Sequence, residues 1–409
     1  MSDLIGLSSI LLVVLITLLL ALRWPETSRF LLVALILRLI FLIINNYLFF
    51  LPDGDMDGLV FEELAWKWSQ VGILNLFNNY SGPGAHFLSF LIAIPYSFLG
   101  RSFLMAQSFS IFFGIGSVFL SWILAKKIWG DGIAIKVGWT VALFPTLVSY
   151  SVLVMREVYI TFFLLVAFYG LVKWIEEKNL KFFFVTILGF ISASFFHGGS
   201  IVGLFVFLLI VTIYTFIEAV RLLMINKIKI NVLMFLAFSI FIISLYTTNK
   251  ISFDYIGYFE NITDLNQLSN ITKTRFVGDA DFPEWTKINS SAEIFYKVPV
   301  RTIYFLFSPF PWDITKLKHL IGLLDSFLYL CLFYLIVINI KVIWNNNALK
   351  TILIILFFYF IAFSFGVGNF GTGIRHRSKF VIELILLAAP LIPKLEFTGK
   401  KLYSNIKKN

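Results

Sequence analysis

The feature that most constrains this chain is a series of apolar stretches of about 17 to 25 residues, the length that crosses a lipid bilayer as a helix. Only 14% of the residues are charged and 59% are hydrophobic, so a soluble globule would expose apolar surface over most of its exterior. The sequence therefore predicts an all-α polytopic membrane protein, a single domain over residues 1–409 with about 11 transmembrane helices plus interfacial or half-membrane helices. The predicted spans are 4–22, 29–51, 103–125, 133–154, 158–174, 181–197, 200–217, 231–247, 319–344, 350–368 and 379–393.

Charge and cysteine content exclude several classes of protein. The net charge of +10 does not indicate a nucleic-acid partner, because the basic residues lie at the ends of apolar stretches, where membrane topology places them. Cys331 is the single cysteine and lies within an apolar stretch, so an intrachain disulfide and a cysteine-based metal cluster are excluded. No basic residue precedes the first stretch, which is not typical of a cleavable signal peptide.

The distribution of basic residues predicts which side of the membrane each connection faces. Most lysines and arginines lie in one set of connections, for example 126–136, which we expect to be cytoplasmic. The two long connections, 52–102 and 248–318, hold most of the acidic residues and are expected to be outer loops. Segment 85–99 is apolar but has only about 15 residues and contains Pro95, so we expect an interfacial or half-membrane helix on the outer side.

An acidic cluster opens the first outer loop. Asp53, Asp55 and Asp57 are separated by glycine and methionine, a composition that permits a tight turn and brings the carboxylates together. Such a group suits a general base or a divalent-metal site. The spacing excludes an EF-hand, because Leu64 occupies the twelfth position, where a bidentate glutamate is needed. A solvated acidic loop without chemistry is the alternative.

Two further polar clusters are predicted at tight outer turns between spans. Arg156 and Glu157 lie side by side, and such a pair either binds a ligand or stabilises a helix end. His197 is followed by two glycines, so it is a candidate binding residue or a capping residue. Arg38 lies inside the second span, where a charge faces a partner or a cavity, and it is either a strut of the bundle or part of a path for lipid phosphate.

The fourth cluster is a glycine-rich segment that contains Arg375, His376 and Arg377. These cations are expected on the outer side, against the usual distribution. Arginine forks match phosphate oxygens, and the glycines would let backbone N–H groups approach a ligand. The alternative is that the side chains extend to lipid headgroups.

The long connection 248–318 contains two segments of interest. The acidic turn around Trp285 is typical of sugar-contacting surfaces and also of ordinary loops. The segment from Arg301 to Asp313 is rich in aromatic residues and prolines, which is typical of chain that lies along the membrane interface.

The order of these parts resembles the GT-C superfamily of lipid-dependent membrane glycosyltransferases and the similar repeat-unit polymerases of bacterial surface polysaccharides. The resemblance rests on the acidic first outer loop, the proline-containing segment at Gly82–Phe87, the basic span end at 124–130 and the mid-span Phe144-Pro145-Thr146. The segments Gly371–Arg377 and Phe307–Trp312 are similar to those of polysaccharide gene-cluster members. An additional N-terminal span and the expected lack of a large soluble C-terminal domain depart from the pattern.

The resemblance implies a GT-C-like, inverting glycosyltransferase or repeat-unit polymerase for O-antigen, capsule or exopolysaccharide, multi-pass in a bacterial cell inner membrane with a periplasmic or extracellular active face. Its partners would be a donor on undecaprenyl or another polyprenyl (pyro)phosphate, a glycan acceptor, membrane lipid and other polysaccharide-assembly proteins, without nucleic acid. The cofactor stays open, and a divalent cation is one hypothesis.

A transporter or flippase of lipid-linked sugars is the alternative function, and a non-catalytic assembly role is a third. The candidate catalytic residues are Asp53, Asp55 and Asp57, and the candidate substrate- or phosphate-binding residues are Arg375, His376, Arg377, Arg156, Glu157, His197 and Arg301.

Overall fold

The computed structural model describes residues 2–80, 82–224, 280–316 and 319–393, and these residues form helices and connections without a β-strand. The predicted span 231–247 and the connection from 248 to 279 lie outside the described residues. Seven described helices are long and apolar enough to cross a membrane, and two shorter apolar helices, Phe87–Leu99 and Leu180–Phe196, accompany them. The predicted all-α polytopic membrane architecture is confirmed.

The described helices follow one another with short connections. In chain order they are α1 (Ser2–Arg23), α2 (Ser28–Ile43), α3 (Asp57–Ser69), α4 (Ile73–Asn78), α5 (Phe87–Leu99), α6 (Phe103–Trp129), α7 (Asp131–Leu143), α8 (Pro145–Tyr150), α9 (Glu157–Glu177), α10 (Leu180–Phe196), α11 (Val202–Met224), α12 (Ile294–Phe307), α13 (His319–Ile338), α14 (Ile340–Asn345), α15 (Asn347–Gly366), α16 (Phe370–Arg377) and α17 (Val381–Ala388).

The predicted span at 133–154 is broken in the structure. Helix α7 ends at Leu143, Phe144 adopts an extended conformation, and α8 starts at Pro145. Proline lacks the backbone N–H that continues a helix and fits best in the first turn of a new one. The single continuous helix was therefore a wrong expectation, and the break places Tyr150 and the Arg156 turn beside the acidic loop.

The predicted span at 379–393 also differs from a simple transmembrane helix. Its regular part is the eight-residue α17, in which every residue is buried. Pro390 cannot donate a hydrogen bond to the carbonyl of Leu386, and the indole Nε1 of Trp129 donates to that carbonyl instead, at 2.9 Å. The amide of Asn339 satisfies the next carbonyl, that of Leu387, at 3.0 Å. Side chains from distant helices therefore complete the end of this buried helix.

The connection 52–102 folds as a packed unit of three helices. Helix α5 has 13 residues and is about 20 Å long, shorter than the ~30 Å hydrocarbon core of a bilayer. It packs against α3, where the Ser89 hydroxyl donates to the Phe61 carbonyl at 2.8 Å and the Tyr96 hydroxyl donates to buried Glu62 at 2.8 Å. Arg101 forms a two-point ion pair with the same carboxylate. This packing fixes the start of α3, which carries Asp57.

Candidate functional site

Three helices from distant parts of the sequence bring charged side chains together. Asp57 is the first residue of α3 and Glu157 is the first residue of α9, where the positive end of a helix dipole favours an anion. Arg375 in the last turn of α16 lies between them. Its Nη1 donates to Asp57 Oδ2 and its Nε donates to Glu157 Oε1 at 3.1 Å. The arrangement is a carboxylate–guanidinium–carboxylate cluster.

This cluster runs from the protein surface into the interior. The side chain of Asp57 is 45% exposed, that of Arg375 is 15% exposed and that of Glu157 is 1% exposed. Burial alone would lower the pKa of Arg375, but the Glu157 and Asp57 carboxylates outweigh it and raise that pKa. Arg375 therefore stays cationic, and Asp57 is the end of the cluster that a solute can reach.

The three aspartates of the acidic loop have different partners. Asp53 has a left-handed backbone conformation, with φ of 67°, and its Oδ2 accepts a hydrogen bond from the Tyr150 hydroxyl at 3.0 Å. Burial raises the pKa of Asp53. Asp55 is exposed, and Asp57 forms an ion pair with Arg375. Asp53 still lies close enough to Asp57 and Arg375 for their charges to act on its pKa, whereas no contact of Asp55 with the other two carboxylates is seen among the described residues. Within the described ranges, no group of three or more His, Cys, Asp or Glu side chains is placed to hold a metal ion.

Gly54 explains the shape of this turn. A Cβ at that position would lie 2.7 Å from Asn45 Oδ1 and 2.9 Å from the Leu51 carbonyl oxygen. The same Asn45 oxygen accepts a hydrogen bond from the Leu51 N–H at 3.0 Å. The turn that carries the three aspartates is therefore anchored to the end of the second span.

A second set of polar contacts continues inward from Glu157. Lys379 is fully buried, its Nζ lies 3.6 Å from Glu157 Oε1 and it contacts His376 Nδ1 at 2.6 Å. The rings of His376 and His197 have centroids 5.1 Å apart. Burial and the Lys379 cation lower the pKa of His376 well below its usual range, so this imidazole is neutral. Lys379 follows the basic Arg375–Arg377 segment and is not among the predicted site residues. Its spacing of three residues after His376 is the signal that could have indicated this contact.

His197 has a capping function in this arrangement. Its Nδ1 accepts a hydrogen bond from the Gly199 N–H at 3.2 Å, and its ring stacks on Phe363 with centroids 5.2 Å apart. His197 therefore lies beside His376, and within the described part of the chain it forms no hydrogen bond with Asp57 or Arg375.

Arg156 borders the cluster on its outer edge. Its guanidinium carbon lies 5.0 Å from the centre of the Phe61 ring, and its Nη1 donates to the Ala85 carbonyl at 3.1 Å. Its Nε is buried and has no hydrogen-bond partner in the described part of the chain. Burial lowers the pKa of Arg156. Arg156 therefore has donor capacity left for an anion next to Glu157.

Arg377 lies in the protein interior. Its side chain is 0% exposed and pairs with Asp325 Oδ2 through Nη2 at 2.6 Å and through Nε at 2.9 Å. The remaining donors bind the carbonyls of Leu306 and Ser308 and the hydroxyl of Ser326. All five N–H donors of a guanidinium are thereby used by the protein. In this geometry Arg377 connects helices and offers no donor to a phosphate.

Arg301 has a comparable structural role. It is fully buried and donates to the carbonyls of Ser364 at 3.2 Å, Val367 at 2.6 Å and Thr286 at 3.3 Å. The first two belong to the end of α15, where helix carbonyls lack partners. Burial lowers the pKa of Arg301 to about 10. Like Arg377, Arg301 stabilises the fold around the site.

The glycine-rich segment forms a helix, which corrects the expectation of an open loop. Asn369 caps α16 by accepting from the Thr372 N–H at 2.8 Å. A short antiparallel bridge joins Asp281 to Asn369, with the Phe282 N–H donating to the Gly368 carbonyl at 2.8 Å. The Gly373 N–H donates within the helix, to the Asn369 carbonyl. The segment therefore presents the side chains of its last turn, and the Gly373 N–H is already used within the helix.

Fold and site together define a polytopic membrane protein with a charged cluster at one end of its helices. Residues 73–258 match the family model of dolichyl-phosphate-mannose-protein mannosyltransferases, a family within the GT-C superfamily of membrane glycosyltransferases. The predicted resemblance to the GT-C superfamily is confirmed. The match indicates a membrane glycosyltransferase that uses lipid-linked sugar donors and acceptor substrates.

The match has a limited extent. It covers less than half of the chain and includes neither Asp57 nor Arg375. No curated protein and no solved structure matches the chain. The assignment of chemistry to individual residues therefore depends on the geometry described above.

Proposed function

We propose that this chain transfers a sugar or a repeat unit from a polyprenyl (pyro)phosphate donor to a glycan acceptor in cell-surface polysaccharide synthesis, such as that of O-antigen, capsule or exopolysaccharide. The reaction takes place on the periplasmic or extracellular side of a bacterial cytoplasmic membrane. The observation that supports this proposal most directly is the Asp57–Arg375–Glu157 cluster. In this cluster, a partly exposed carboxylate at the start of one helix and a buried carboxylate at the start of another hold a single guanidinium between them.

Asp57 acts as the general base in this proposal. Arg375 holds one of its carboxylate oxygens and leaves the partly exposed side chain oriented toward solvent. The carboxylate takes the proton of the acceptor hydroxyl, and the acceptor oxygen then bonds to the anomeric carbon of the donor. The bond from that carbon to the phosphate oxygen breaks, and the phosphate leaves with the electron pair. Asp55, which is exposed, is the alternative base.

The leaving phosphate is stabilised by Arg375 and Arg156. Arg375 uses Nε for Glu157 and Nη1 for Asp57, and its Nη2 makes no recorded hydrogen bond to the described residues. Arg156 adds the positive charge of its guanidinium at the outer edge of the cluster. Fixed cations aimed at a developing negative charge are an effective form of transition-state stabilisation. One guanidinium therefore connects the base to the leaving group.

Glu157 and Lys379 are positioning residues in this proposal. Glu157 is too buried to contact a solute, and it fixes the orientation of Arg375 from behind. Lys379 lies near the Glu157 carboxylate, and burial together with this lysine lowers the pKa of His376. His376 accepts at Nδ1, so its Nε2 carries the proton and can donate to a sugar or phosphate oxygen.

The test is transfer by purified protein in lipid nanodiscs, with a polyprenyl-diphosphate-linked sugar as donor and an oligosaccharide acceptor. Asp57→Asn is expected to lower transfer by about 100-fold or more. Glu63→Gln is the matched control, because Glu63 is an exposed carboxylate on the same helix. Loss in Asp55→Asn with normal transfer in Asp57→Asn would move the base to Asp55. Movement of the lipid between leaflets without a new glycosidic bond would instead favour the transporter.

A further inference from the structure

An aromatic cluster is formed by residues between 285 and 312 and has no role in the proposed chemistry. The Tyr304 ring contacts the rings of Trp285 and Phe310, with centroids 5.8 and 5.2 Å apart. Phe310 stacks on Trp312 with centroids 4.9 Å apart and an angle of 8° between the ring planes. Trp285 is 58% exposed and Trp312 is 72% exposed. We call Trp285, Tyr304, Phe310 and Trp312 the aromatic platform.

The platform is rigid. Trp312 belongs to the short helical turn Pro311–Asp313, and Asp313 Oδ2 accepts from the Phe310 N–H at 2.9 Å, which closes the turn. Phe310 covers one face of the Trp312 indole, and the high exposure of Trp312 shows that much of the rest is open. A fixed aromatic face of this kind can contact a ligand without losing side-chain entropy on binding.

The two buried arginines attach the platform to the charged cluster. Arg377 donates to the carbonyls of Leu306 and Ser308, which lie between Tyr304 and Phe310 of the platform in the chain. Arg377 is also two residues after Arg375 in α16. Arg301 donates to the Thr286 carbonyl next to Trp285 and to the Val367 carbonyl before α16. Hydrogen bonds of two buried side chains therefore join the chain around the platform to α16, which carries Arg375.

Carboxylates lie next to the platform residues in the chain, and one of them, Glu284, pairs with Lys287 Nζ at 2.7 Å. Asp281 and Glu284 flank the chain near Trp285, and Asp313 follows Trp312 directly. The Glu284 side chain is 89% exposed. Aromatic faces with nearby polar acceptors suit a ligand that is apolar on one face and carries hydroxyl donors at its edge. A pyranose ring has this character: its C–H groups contact the indole and its hydroxyls donate to carboxylates.

We propose that the aromatic platform binds the acceptor glycan by stacking a sugar ring on Trp312 and a second ring on Trp285. This inference rests on the proposed function and names the site of its second substrate. The acceptor is thereby held by chain that these hydrogen bonds join to α16, the helix that carries Arg375.

The other explanation for exposed aromatics in a membrane protein is an interfacial belt that contacts lipid. The carboxylates beside the rings favour the glycan. If the ring faces entered the apolar layer, Asp313 and Glu284 would have to approach the same layer, and charges are costly there. A neutral, hydroxyl-rich ligand in water satisfies both kinds of side chain.

The direct test is saturation-transfer difference NMR of the protein in nanodiscs with methyl glycosides of glucose, galactose, mannose and N-acetylglucosamine. At least one glycoside is expected to receive saturation on its ring-face protons. Trp312→Ala and Trp285→Ala should each lower that signal several-fold, and the double variant should lose it, whereas Trp312→Phe should retain most of it. Phe295→Ala is the matched control, because Phe295 is an exposed aromatic on α12 outside the platform.

Three results would overturn the proposal. They are absence of binding for all four glycosides, an unchanged signal in the double variant, and quenching of Trp312 fluorescence by brominated phospholipids, measured as the difference between wild type and Trp312→Phe. The last result would identify a lipid belt.

The proposed function can fail while the platform proposal holds. Glycoside binding could depend on Trp312 while transfer does not depend on Asp57 or Asp55. That result would support the platform and reject the catalytic assignment. In transfer assays, Trp312→Ala should raise the acceptor KM about tenfold and leave kcat nearly unchanged.

Discussion

The guanidinium of Arg375 pairs with the carboxylate of Asp57, although 318 positions separate the two residues in the chain. The pair joins the last turn of α16 to the first residue of α3. Buried Glu157 holds the other side of the same guanidinium. This geometry assigns distinct roles to charged residues that look alike in the sequence.

Arg375→Lys is expected to lower transfer by about 100-fold. Lysine keeps the charge but lacks the planar fork, so it cannot contact Asp57, Glu157 and a phosphate together. The measurement is the initial rate of transfer with saturating donor, compared with Arg221→Lys, which changes an exposed arginine at the end of α11. Wild-type rates in Arg375→Lys would show that charge alone suffices and would remove the bidentate role.

Arg377→Met and Asp325→Asn are expected to destabilise the protein. Each change leaves an unpaired partner in a buried ion pair, which costs about 3–5 kcal/mol. The melting temperature in detergent, followed by size-exclusion chromatography, should fall in both variants. If either variant kept the wild-type melting temperature but lost donor affinity, Arg377 would be a phosphate-binding residue after all.

Three arginines that the sequence treats alike have different roles in the structure. Arg301, Arg375 and Arg377 all lie near aromatic or glycine-rich segments, and the sequence predicted all three as substrate- or phosphate-binding residues. Their roles differ because Asp325 and a set of carbonyl groups, from residues far away in the sequence, take up the donors of Arg377 and Arg301. No local pattern encodes these partners.

The general architecture could be predicted because the bilayer imposes it locally. A long apolar stretch must become a helix wherever it lies in the chain. The break at Pro145 also has a local cause, and proline spacing could have indicated it. The burial of α17 could not be foreseen, because Trp129 and Asn339 complete its end from distant parts of the chain.

Trp129→Phe tests this helix end. The change keeps an aromatic ring and removes the N–H that satisfies the Leu386 carbonyl, so it should cost about 1–3 kcal/mol of stability. The melting temperature is the measurement. Trp344→Phe, at an exposed tryptophan, should leave it unchanged. Equal melting temperatures for all three proteins would show that another donor replaces the indole.

The neutral state of His376 predicts a dependence of stability on pH. Its pKa is lowered in the folded protein, so below the usual value of 6.5 the unfolded chain binds a proton that the folded chain does not. His376 therefore stabilises the fold above that pH, and this contribution is lost as the pH falls below it. His376→Asn retains an acceptor for Lys379 and does not titrate, so its melting temperature should fall less than that of wild type between pH 7 and pH 5. Parallel curves for the two proteins would contradict the neutral assignment.

The most direct test of the central claim is a double-mutant cycle on transfer rate with Asp57→Asn and Arg375→Gln. If the two residues act as one catalytic unit, each single variant should lose about 100-fold or more, and the double variant should be no slower than the slower single variant. Losses that multiply in the double variant, or a wild-type rate in Asp57→Asn, would contradict the account.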